Sequence, residues 1–342
     1  MTNSPGQPLR IALDAMGGDY GPPETVAGAV AAVTEGRGRV AVLLVGDADA
    51  VQPEVDRQGG GGLPIKVIPS EGVILDSESP LQALRAKPKA SAVVGVGMVK
   101  EGIADAFVTM GSTGAAMAAS ALLLGMMEGL ERPALGGPIL GYAPTTVFME
   151  LGSSIDCRPS QLVDFAALGV AFSRTYLDVT DPRVGILSVG TEEGKGNRQS
   201  REAFPLFQAS GLNFVGNLEG HDLGSDKADV VVCDGFVGNI LIKTIEGLGE
   251  DLARYVTGRL ASHLSEADAA AVGQDIYYLL NRIEYNGGGP LFGIKGNVIV
   301  GHGRARANGI SRAVHTAVRV CETGLAGKME EELNSLRTRT AE

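Results

Sequence analysis

Seven short segments of the chain combine glycine with hydroxyl, amide or charged side chains at the end of an apolar run. Glycine leaves the backbone N–H groups accessible, and N–H groups at the start of a helix favour a bound anion. Residues of these types in this position predict the binding of an oxyanion such as phosphate. The segments are Met16–Asp19 (MGGD), Val45–Asp47 (VGD), Gly111–Gly114 (GSTG), Glu150–Ser154 (ELGSS), Gly190–Asn197 (GTEEGKGN), Asp234–Asn239 (DGFVGN) and Gly301–Gly303 (GHG).

The GSTG segment carries the sharpest of these signals. It follows the apolar run AFVTM and opens a strongly apolar helical pattern, so it would present hydroxyl and N–H groups at a helix N-terminus. Simple N-capping by Ser112 or Thr113 is the alternative. A cap does not need glycine on both sides, so the pattern favours a phosphate cradle formed by Gly111, Ser112, Thr113 and Gly114. It is not a P-loop, because no Gly-Lys-Ser/Thr follows.

The loop after the first apolar run offers a second candidate for anion binding. Asp14 and Asp19 flank the glycine pair Gly17 and Gly18, and two prolines then lead into a helical pattern. Proline is tolerated in the first turn of a helix, where its missing N–H costs little. A plain strand-to-helix turn capped by Asp19 and a binding loop explain this pattern equally well.

Three further positions carry groups that could contact an anion or a carbonyl oxygen. Lys195 lies among glycines and is either a solvated loop charge or a point charge for an anion. Asn239 could cap the long helix that follows Asp234 and Gly235, or donate from its amide to a substrate oxygen. His302 lies just beyond a predicted strand and could face the same ligand.

The cysteines and the remaining histidines give little support for other chemistry. Cys233 lies in an apolar run and is predicted to be a core residue, and Cys157 is a weak nucleophile candidate with no histidine close in sequence. His221, His263 and His315 show no metal-ligand spacing, so no metal is expected. No Gly-x-Ser-x-Gly elbow supports a serine hydrolase.

Composition bounds the class of protein. The chain has 342 residues and a formal net charge of −11, which disfavours non-specific binding to nucleic acid. Three widely spaced cysteines form no disulfide framework, and the N-terminal residues lack an apolar signal core. The longest apolar run, Ala115–Met127, is shorter than the ~18 residues of a membrane span. These features predict a cytoplasmic protein.

Local basic clusters stand out against this acidic background. Arg85, Lys87 and Lys89 form one cluster, and Arg304 and Arg306 form another. Both could be ordinary solvated faces, which is the commoner case. A partner rich in phosphate or carboxylate would require local patches of this kind.

One helical pattern near the C-terminal third carries an apolar stripe. A core contact or a subunit interface is the simpler explanation, and contact with a membrane or an acyl chain is the alternative. The stripe consists of Ile276, Leu279, Leu280 and Ile283, with Tyr277 and Tyr278 beside it.

The elements that must position these groups alternate between strand and helix. Several strand patterns are almost entirely apolar, which is typical of strands buried on both faces of a parallel sheet. The alternation predicts a doubly wound α/β fold, with a TIM barrel as the alternative. Residues 52–64 are predicted to form a mobile loop. Long helices are predicted over Gln161–Leu177, Gly238 to about Leu264, and about Ser311–Leu336.

Several of these motifs together resemble the bacterial phosphate acyltransferases of phospholipid synthesis. The resemblance covers almost the whole chain, from Leu9 to about Arg319, and several motifs in one order are far more specific than any one of them. The matching motifs are IALDAMGGD, GSTGA, ERPAL, PRVGILSVGTEEGKGN, ADVVVCDGFVGNILIKTIEG and GGGPLFGIKG with GHG after it.

The resemblance implies an activity and a set of partners. Enzymes of this family move a fatty acyl group from acyl carrier protein to inorganic phosphate and make acyl phosphate for glycerophospholipid synthesis. It also implies a homodimer without a cofactor that contacts the inner face of the membrane and passes its product to a glycerol-phosphate acyltransferase. The implied fold is a Rossmann-like α/β/α sandwich with a mostly parallel sheet and protruding helices.

On this basis the expected organisation is a tail over residues 1–9, one catalytic domain over 10–330 and a helix end with a tail over 331–342. A helical protrusion is expected at about 250–285. Lys195 and Asn239 match residues that look critical in the family, as phosphate ligand and as donor to the thioester oxygen. The two basic clusters are candidates for docking the acidic carrier protein, and the stripe for lying along the acyl chain.

Two segments depart from the family pattern, and two other functions stay open. Ser112 stands where the family pattern has asparagine, and Glu150–Ser154 stands where it reads Asp-x-Gly-Ala-Asn. The alternatives are a nicotinamide-dependent dehydrogenase of related fold, for which no dinucleotide fingerprint is present, and a non-catalytic module that binds phosphate or lipid.

Overall fold

The computed structural model describes residues 7–341. Its internal contacts divide the chain into two compact units. Unit 1 contains the chain up to Pro133 together with Asn286–Gly327, and unit 2 contains Ala134–Tyr285 together with the chain from Lys328 onward. The first six residues of the predicted tail, and the last residue of the predicted C-terminal end, lie outside the described residues.

The elements are numbered here in chain order. The strands are β1 Leu9–Asp14, β2 Val40–Gly46, β3 Ile65–Pro69, β4 Ala106–Thr109, β5 Ala134–Gly137, β6 Val147–Met149, β7 Val184–Leu187, β8 Phe214–Leu218, β9 Val230–Val232, β10 Gly289–Phe292 and β11 Val298–Val300. The helices are α1 Gly21–Gly36, α2 Ala48–Arg57, α3 Pro80–Ala86, α4 Ser91–Lys100, α5 Thr113–Leu123, α6 Pro159–Tyr176, α7 Arg198–Ala209, α8 Gly235–Leu260, α9 Glu266–Leu280, α10 Arg282–Tyr285, α11 Ala307–Thr323 and α12 Leu325–Ala341.

Unit 1 is built on a mostly parallel sheet with the strand order β3-β2-β1-β4-β11-β10. The pairs from β3 to β11 are parallel, and β10 alone runs antiparallel, to β11. Central strands are buried along most of their length, as the continuous apolar runs predicted, because helices cover the sheet. The carboxyl ends of β1 and β4 therefore meet at one edge of this sheet, where their loops can form a binding site.

Helices α1 and α11 pack closely against each other in unit 1. A Cβ built on Gly28 of α1 would lie 2.6 Å from the side chain of Ile310 of α11, so only glycine permits this approach. Helix α11 is strongly amphipathic, with Ile310, Val314 and Val318 buried on one face. This pair anchors the C-terminal segment of unit 1 to its N-terminal strand.

The strands of unit 2 are also mostly parallel and follow the order β5-β6-β9-β7-β8. Strands β6, β9, β7 and β8 are parallel, and β5 is antiparallel to β6. Helix α6 is buried over most of its length. It packs on β9 at Gly169, where an added Cβ would lie 2.6 Å from the side chain of Val230. The ends of β6, β7 and β9 carry the predicted site residues of this unit.

Helices α8 and α9 form an antiparallel hairpin within unit 2. Gly273 of α9 faces Thr257 of α8, and Gly249 of α8 faces Asn281 after α9, so the two helices run in opposite directions. Most side chains of α8 remain accessible, since only three of its residues, all glycines, are buried. This hairpin covers the region of the predicted helical protrusion.

The structure confirms the predicted α/β class with mostly parallel strands, and neither sheet order is that of a TIM barrel. Two local predictions were wrong. Helix α2 occupies the first half of the predicted loop over 52–64, because Asp47 caps it and its proline falls within the first turns. The single helix predicted over about 311–336 is two helices, because Gly324 adopts a left-handed φ of +64° that ends α11.

Candidate functional site

The carboxylate of Asp14, at the end of β1, organises the glycine loop that follows it. It is 2 % exposed and accepts hydrogen bonds from the backbone N–H groups of Met16 at 3.1 Å and Gly17 at 3.0 Å. Its second oxygen accepts from the hydroxyl of Thr109 at 2.8 Å, at the end of the neighbouring strand β4. Burial raises the pKa of Asp14, and these hydrogen bonds oppose that shift. Asp14 therefore joins two strand ends.

Three of the predicted loops meet in unit 1. A Cβ on Gly17 would lie 2.7 Å from the backbone nitrogen of Gly111, and one on Gly18, whose φ is +90°, would lie 3.1 Å from the carbonyl oxygen of Gly303. The N–H of Asp19 donates to that same carbonyl at 2.7 Å. The glycines are thus required by close backbone approach, and they bring MGGD, GSTG and GHG together.

The GSTG segment combines a helix cap with accessible N–H groups. Ser112 caps α5, and its hydroxyl accepts from the N–H of Ala115 at 3.3 Å, so the N-capping alternative is present. The cap satisfies only that N–H, and the N–H groups of Thr113 and Gly114 in the first turn have no intrahelical acceptor. With the helix dipole behind them, these groups can bind an anion.

The other predicted residues of unit 1 lie around this cluster. The side chain of Asp19 is exposed, and His302 is half-buried in the loop after β11. The carbonyl of His302 accepts from the N–H of Ala305 at 2.9 Å, which tightens that loop toward α11. Unit 1 therefore brings together all of the predicted residues that belong to it.

In unit 2 the buried carboxylate of Glu150 organises a second loop. Glu150 follows β6, is fully buried, and accepts from the N–H groups of Gly152 at 2.9 Å and Ser153 at 2.8 Å. Its other oxygen accepts from the hydroxyl of Ser153. Burial raises the pKa of Glu150, and the hydrogen bonds from the loop oppose that shift.

The loop held by Glu150 lies against the start of α8. A Cβ on Gly238 would fall 2.0 Å from the carbonyl oxygen of Glu150, and one on Gly152, whose φ is +136°, 3.1 Å from the side-chain oxygen of Asn239. The N–H of Gly235 donates to Ser154 at 2.8 Å. These contacts fix the helix turn that carries Asn239, whose side chain stays exposed.

Asp234 caps α8, and Asn239 does not. The carboxylate of Asp234 accepts from the N–H of Val237 at 2.8 Å, which is the usual geometry of an N-cap aspartate. Of the two roles considered for Asn239, the capping role is therefore taken by another residue. The other role, donation from the Asn239 amide to a substrate oxygen, stays a prediction.

Lys195 lies in an exposed loop between β7 and α7. Its backbone N–H donates to the carbonyl of Glu192 at 2.9 Å, and Asn197 caps α7 by accepting from Ser200 at 2.9 Å. Gly196 has a φ of +109°, and a Cβ there would meet the hydroxyls of Ser200 and Ser188. The loop is therefore held at both ends while its ammonium group stays in solvent.

The two units repeat one arrangement. In each, a buried carboxylate at the end of a strand accepts from the N–H groups two and three residues later, and the loop so formed packs against the helix start that follows the neighbouring strand. Asp14 serves α5 in this way, and Glu150 serves α8. The sequence pattern indicated Glu150–Ser154 as one of the strand ends and as a departure from the family pattern, but not the role of the Glu150 carboxylate, which its spacing to Gly152 and Ser153 could have revealed by the parallel with Asp14.

The thiols do not provide a nucleophile. Burial, with nearby carboxylates, raises the pKa of Cys157 to about 11, and burial also raises the pKa of Cys233. Cys157 donates to the carbonyl of Ser154 at 3.0 Å. Both therefore remain protonated and help to pack the loop region. Among residues 7–341, no cluster of three metal-ligating side chains is found, and no helix is long and apolar enough to cross a bilayer.

The basic clusters are partly neutralised within unit 1. Lys87 pairs with Glu78 at 2.7 Å, and Lys89 with Glu71 at 2.8 Å. Arg306 pairs with Glu24 at 3.0 Å and lies over the ring of Tyr20. These pairs lower the positive charge that the clusters offer to an acidic partner, and the clusters also include the exposed residues Arg85 and Arg304.

The apolar stripe is largely used for packing inside unit 2. Leu280 and Ile283 pack against the hydrophobic core around Phe148 and Leu151. The backbone carbonyl of Leu279 accepts from the N–H of Gly141 at 2.7 Å, which fixes the end of α9. The core-contact explanation therefore accounts for Leu280 and Ile283, whereas the side chain of Leu279 is exposed.

Comparison with known proteins connects this geometry to a family. A family model described as fatty acid synthesis protein matches residues 9–328. The phosphate acyltransferase of Desulforudis audaxviator is 41% identical over 337 residues, which is 98% of this chain and 99% of that protein. That of Syntrophomonas wolfei is 41% identical over 92% of this chain and 94% of its own length.

The chain belongs to the phosphate acyltransferase family. It is therefore an acyltransferase. Solved structures with the same fold include a phosphotransacetylase from Streptococcus pyogenes, at a TM-score of 0.60 and 18% identity, covering 92% of this chain and 94% of that one. Another is a branched-chain phosphotransacylase from Enterococcus faecalis, at a TM-score of 0.57 and 14% identity, covering 92% of this chain and 99% of that one.

Two of the residues that depart from the family pattern have a structural role in this chain. Ser112 is the cap of α5, a role that serine fills as well as asparagine. Glu150 accepts from the N–H groups of Gly152 and Ser153, as Asp14 accepts from those of Met16 and Gly17. These two residues therefore hold the loops that they belong to.

Proposed function

We propose that this protein transfers a fatty acyl group from acyl carrier protein to inorganic phosphate and makes an acyl phosphate for glycerophospholipid synthesis. The observation that carries the proposal is the near-full-length match to proteins named phosphate acyltransferase, within a family described by fatty acid synthesis. The glycine loops at the strand ends support it, because they offer N–H groups to an oxyanion.

The reaction needs no protein nucleophile. An oxygen of hydrogen phosphate attacks the thioester carbonyl carbon, the C–O bond forms, and the C–S bond breaks as the tetrahedral intermediate collapses. The proton that phosphate carried passes to the departing thiolate, so the products are acyl phosphate and the free thiol of the carrier. The raised thiol pKa of Cys157 is consistent with this direct route.

We assign phosphate binding to the first turn of α5 and the loops around it. The N–H groups of Thr113 and Gly114 provide donors, and Gly17 and Gly111 keep the backbone bare beside them. These donors are needed in a protein with a net charge of −11, because their dipoles offset the repulsion between the protein and the phosphate dianion. Gly18, Ser112, Asp19 and His302 are assigned to the same loop cluster, and Asp14 to holding it in place.

We assign charge stabilisation to Lys195 and Asn239. The exposed ammonium of Lys195 would attract the phosphate dianion, and the exposed amide of Asn239 would donate to the thioester oxygen as negative charge develops there. Asp234 and Gly235 hold the turn before Asn239. Removing one such donor typically lowers kcat by about 100- to 1,000-fold.

The proposal includes the wider setting of the reaction. Acyl carrier protein is the donor and a partner that docks on exposed arginines, and the protein acts as a homodimer in the cytoplasm at the inner face of the membrane. A glycerol-phosphate acyltransferase consumes the acyl phosphate. No cofactor takes part, because phosphate itself is the nucleophile.

The direct test is incubation with an acyl thioester of acyl carrier protein and phosphate. Hydroxylamine traps acyl phosphate as a hydroxamate, and a parallel reaction without phosphate measures the hydroxamate formed from the thioester itself. We expect phosphate-dependent hydroxamate in equal amount to the free thiol released. Thiol release that does not depend on phosphate would identify a thioesterase instead.

Lys195→Ala is the first variant for this assay. We expect a folded protein with a raised KM for phosphate and a kcat lower by at least about tenfold, since a point charge next to a dianion is lost. Lys100→Ala, a change at an exposed lysine in the last turn of α4, is the matched control. Full turnover by the Lys195 variant would refute its assigned role.

A further inference from the structure

The cavity beside the apolar stripe is too small for an acyl chain. It lies among Ile139, Ile242 and Leu280 and has a volume of about 10 Å³. A cavity of that size holds at most one water molecule. An acyl chain that contacts unit 2 must therefore use another surface.

A larger cavity lies elsewhere in unit 2, at the carboxyl ends of β7 and β9. Its volume is about 150 Å³. The apolar side chains of its wall are those of Leu162, Ile186, Leu187, Val189 and Val237. An engineered cavity of similar volume with an aliphatic lining stays dry and binds benzene, a molecule of six carbons. This volume therefore suits about six apolar carbons.

The cavity adjoins groups already assigned to the reaction. Gly196 and Asn197, which follow Lys195, line it, and so does Asp234 at the start of α8. Val237 of its wall lies two residues before Asn239 on the same helix. In open α/β sheets, ligands bind beyond the carboxyl ends of the strands, where this cavity lies.

One polar atom in the wall points to the kind of ligand. The hydroxyl oxygen of Ser188 is buried and has no hydrogen-bond partner within residues 7–341. Leaving a buried polar group without a partner is unfavourable. An acyl thioester presents a carbonyl oxygen next to apolar carbons and so could fill the cavity, and a rotation of the Ser188 side chain, whose oxygen is covered in the structure, would bring its hydroxyl to that carbonyl.

We propose that this cavity holds the first six or so carbons of the acyl group, with the thioester at its mouth near Ser188 and Asp234. The inference rests on the proposed function. It makes Val237, Ile186 and Leu162 specificity-determining residues, because their side chains contact the acyl carbons. Carbons beyond the sixth extend outside the cavity and contribute less to binding.

The proposal predicts a break in the dependence of kcat/KM on acyl length. Burial of one CH₂ is worth about 0.8 kcal/mol, so each added carbon should raise kcat/KM about fourfold up to roughly six carbons. Beyond that length the increase should level off. The measurement uses phosphate-dependent thiol release from carrier thioesters that bear acetyl, butyryl, hexanoyl, octanoyl, dodecanoyl and hexadecanoyl groups.

Val237→Phe is the decisive variant, because the phenyl ring is larger than the valine side chain and fills the cavity. We expect kcat/KM to fall at least tenfold for hexanoyl and longer donors and less than threefold for the acetyl donor. Val272→Phe on α9, the same change at a partly exposed position outside the cavity, should leave the whole profile unchanged. Equal losses for acetyl and long donors would overturn the proposal, as would an unchanged profile in the Val237 variant.

Val237→Leu keeps the proposal testable if the phenylalanine variant does not fold. It adds one methylene, and the break should move to about one carbon shorter while the melting temperature stays close to that of the parent. A break that stays at the parental length would contradict the inference. Absence of acyl phosphate with every donor would instead overturn the proposed function, so the two failures are distinct.

Discussion

Asp14 and Glu150 are the two side chains on which the loop architecture of each unit depends. Both are buried, and each accepts from two consecutive backbone N–H groups of the loop that follows it. Their pKa values are raised by burial, and the loop hydrogen bonds favour the ionised form. A buried carboxylate of this kind positions its neighbours rather than meeting the substrate.

Glu150→Ala should lower activity without touching an assigned contact residue. The N–H groups of Gly152 and Ser153 lose their acceptor, each at a cost of about 1–3 kcal/mol if it stays buried, so the loop shifts away from Asn239. We expect kcat to fall more than tenfold. Glu150→Asp, the residue of the family pattern, should retain most of the activity. Equal loss of acyl phosphate formation in both variants would show that activity does not depend on a carboxylate that accepts from the loop N–H groups.

The tight contact between Gly238 and Glu150 supplies a second test at single-residue scale. A Cβ at 2.0 Å from a carbonyl oxygen cannot be accommodated, so Gly238→Ala must displace the first turn of α8 with Asn239 on it. We expect at least a tenfold loss of kcat and a lower melting temperature.

Gly247→Ala on the same helix is its matched control. A Cβ there meets nothing within 4 Å, and alanine favours a helix over glycine by about 1 kcal/mol. We expect unchanged kcat and a slightly raised melting temperature. A loss of activity in this variant would mean that α8 tolerates no change anywhere, and the argument from Gly238 would fail.

The glycine loops could be found from sequence because their chemistry is local. Gly111–Gly114 and Asp234–Asn239 each follow an apolar run and open a helix, and both patterns were predicted at the right residues. The role of Glu150 could not be inferred in the same way. An acidic residue directly after a strand is normally expected to be exposed to solvent. Its burial can be recognised only when the positions of the neighbouring strands are known.

At the scale of elements, helices α6 and α12 meet through a partly buried aspartate. Asp164 of α6 lies 3.7 Å from Arg337 of α12, and burial raises its pKa to about 6, with Arg337 opposing the shift. The folded state therefore binds this proton more tightly than the unfolded chain does. The resulting stability is fully present below about pH 4 and is lost as the pH rises through 6.

Asp164→Asn should remove this pH dependence. At pH 4 the variant and the parent should unfold at similar urea concentrations, and the variant should become relatively more stable as the pH rises to 7. The rise of the Asp164 pKa to about 6 corresponds to up to about 3 kcal/mol of free energy of unfolding. Chemical unfolding at pH 4, 5.5 and 7 measures the difference, and a constant gap across these values would contradict the expectation.

Elements with strong apolar runs were predicted well, and those defined by caps or turns were not. Strands such as β2 and β9 are buried on both faces and need no tertiary information to be recognised. Helix α2 has only Val51 and Val55 buried, so its pattern is weak and its proline looked like a loop signal. Helix α11 ends at a single residue in the left-handed conformation, Gly324. The periodicity of apolar residues does not reveal this break, because the helices before and after it both carry apolar faces.

At the scale of the whole molecule, the chain completes unit 1 only near its C-terminus. Strand β11 pairs with β4, and α11 packs on α1, yet both belong to the segment Asn286–Gly327. A chain of residues 1–133 alone should therefore expose the edge of β4 and the buried face of α1. We expect it to be insoluble or unfolded by circular dichroism.

Joining Pro133 to Asn286 by a flexible linker of about ten residues, and ending the chain at Gly327, should restore a cooperative unfolding transition. The linker adds little closure entropy, because that cost grows slowly with length. Failure of the joined chain to fold would mean that unit 1 is not an independent folding unit. Cooperative folding of residues 1–133 alone would contradict the assigned role of β11.

The pairing of β4 with β11 also determines how late during translation the sheet of unit 1 can be completed. Strand β4, which contains Phe107, can pair with β11 only after Val298 of β11 has left the ribosome. The two residues are separated by about 190 residues of chain. At roughly 5–20 residues per second, that interval lasts about 10–40 s. Throughout it, the nascent chain carries an apolar strand with an unpaired edge, and we expect it to be a substrate for chaperones that bind during translation.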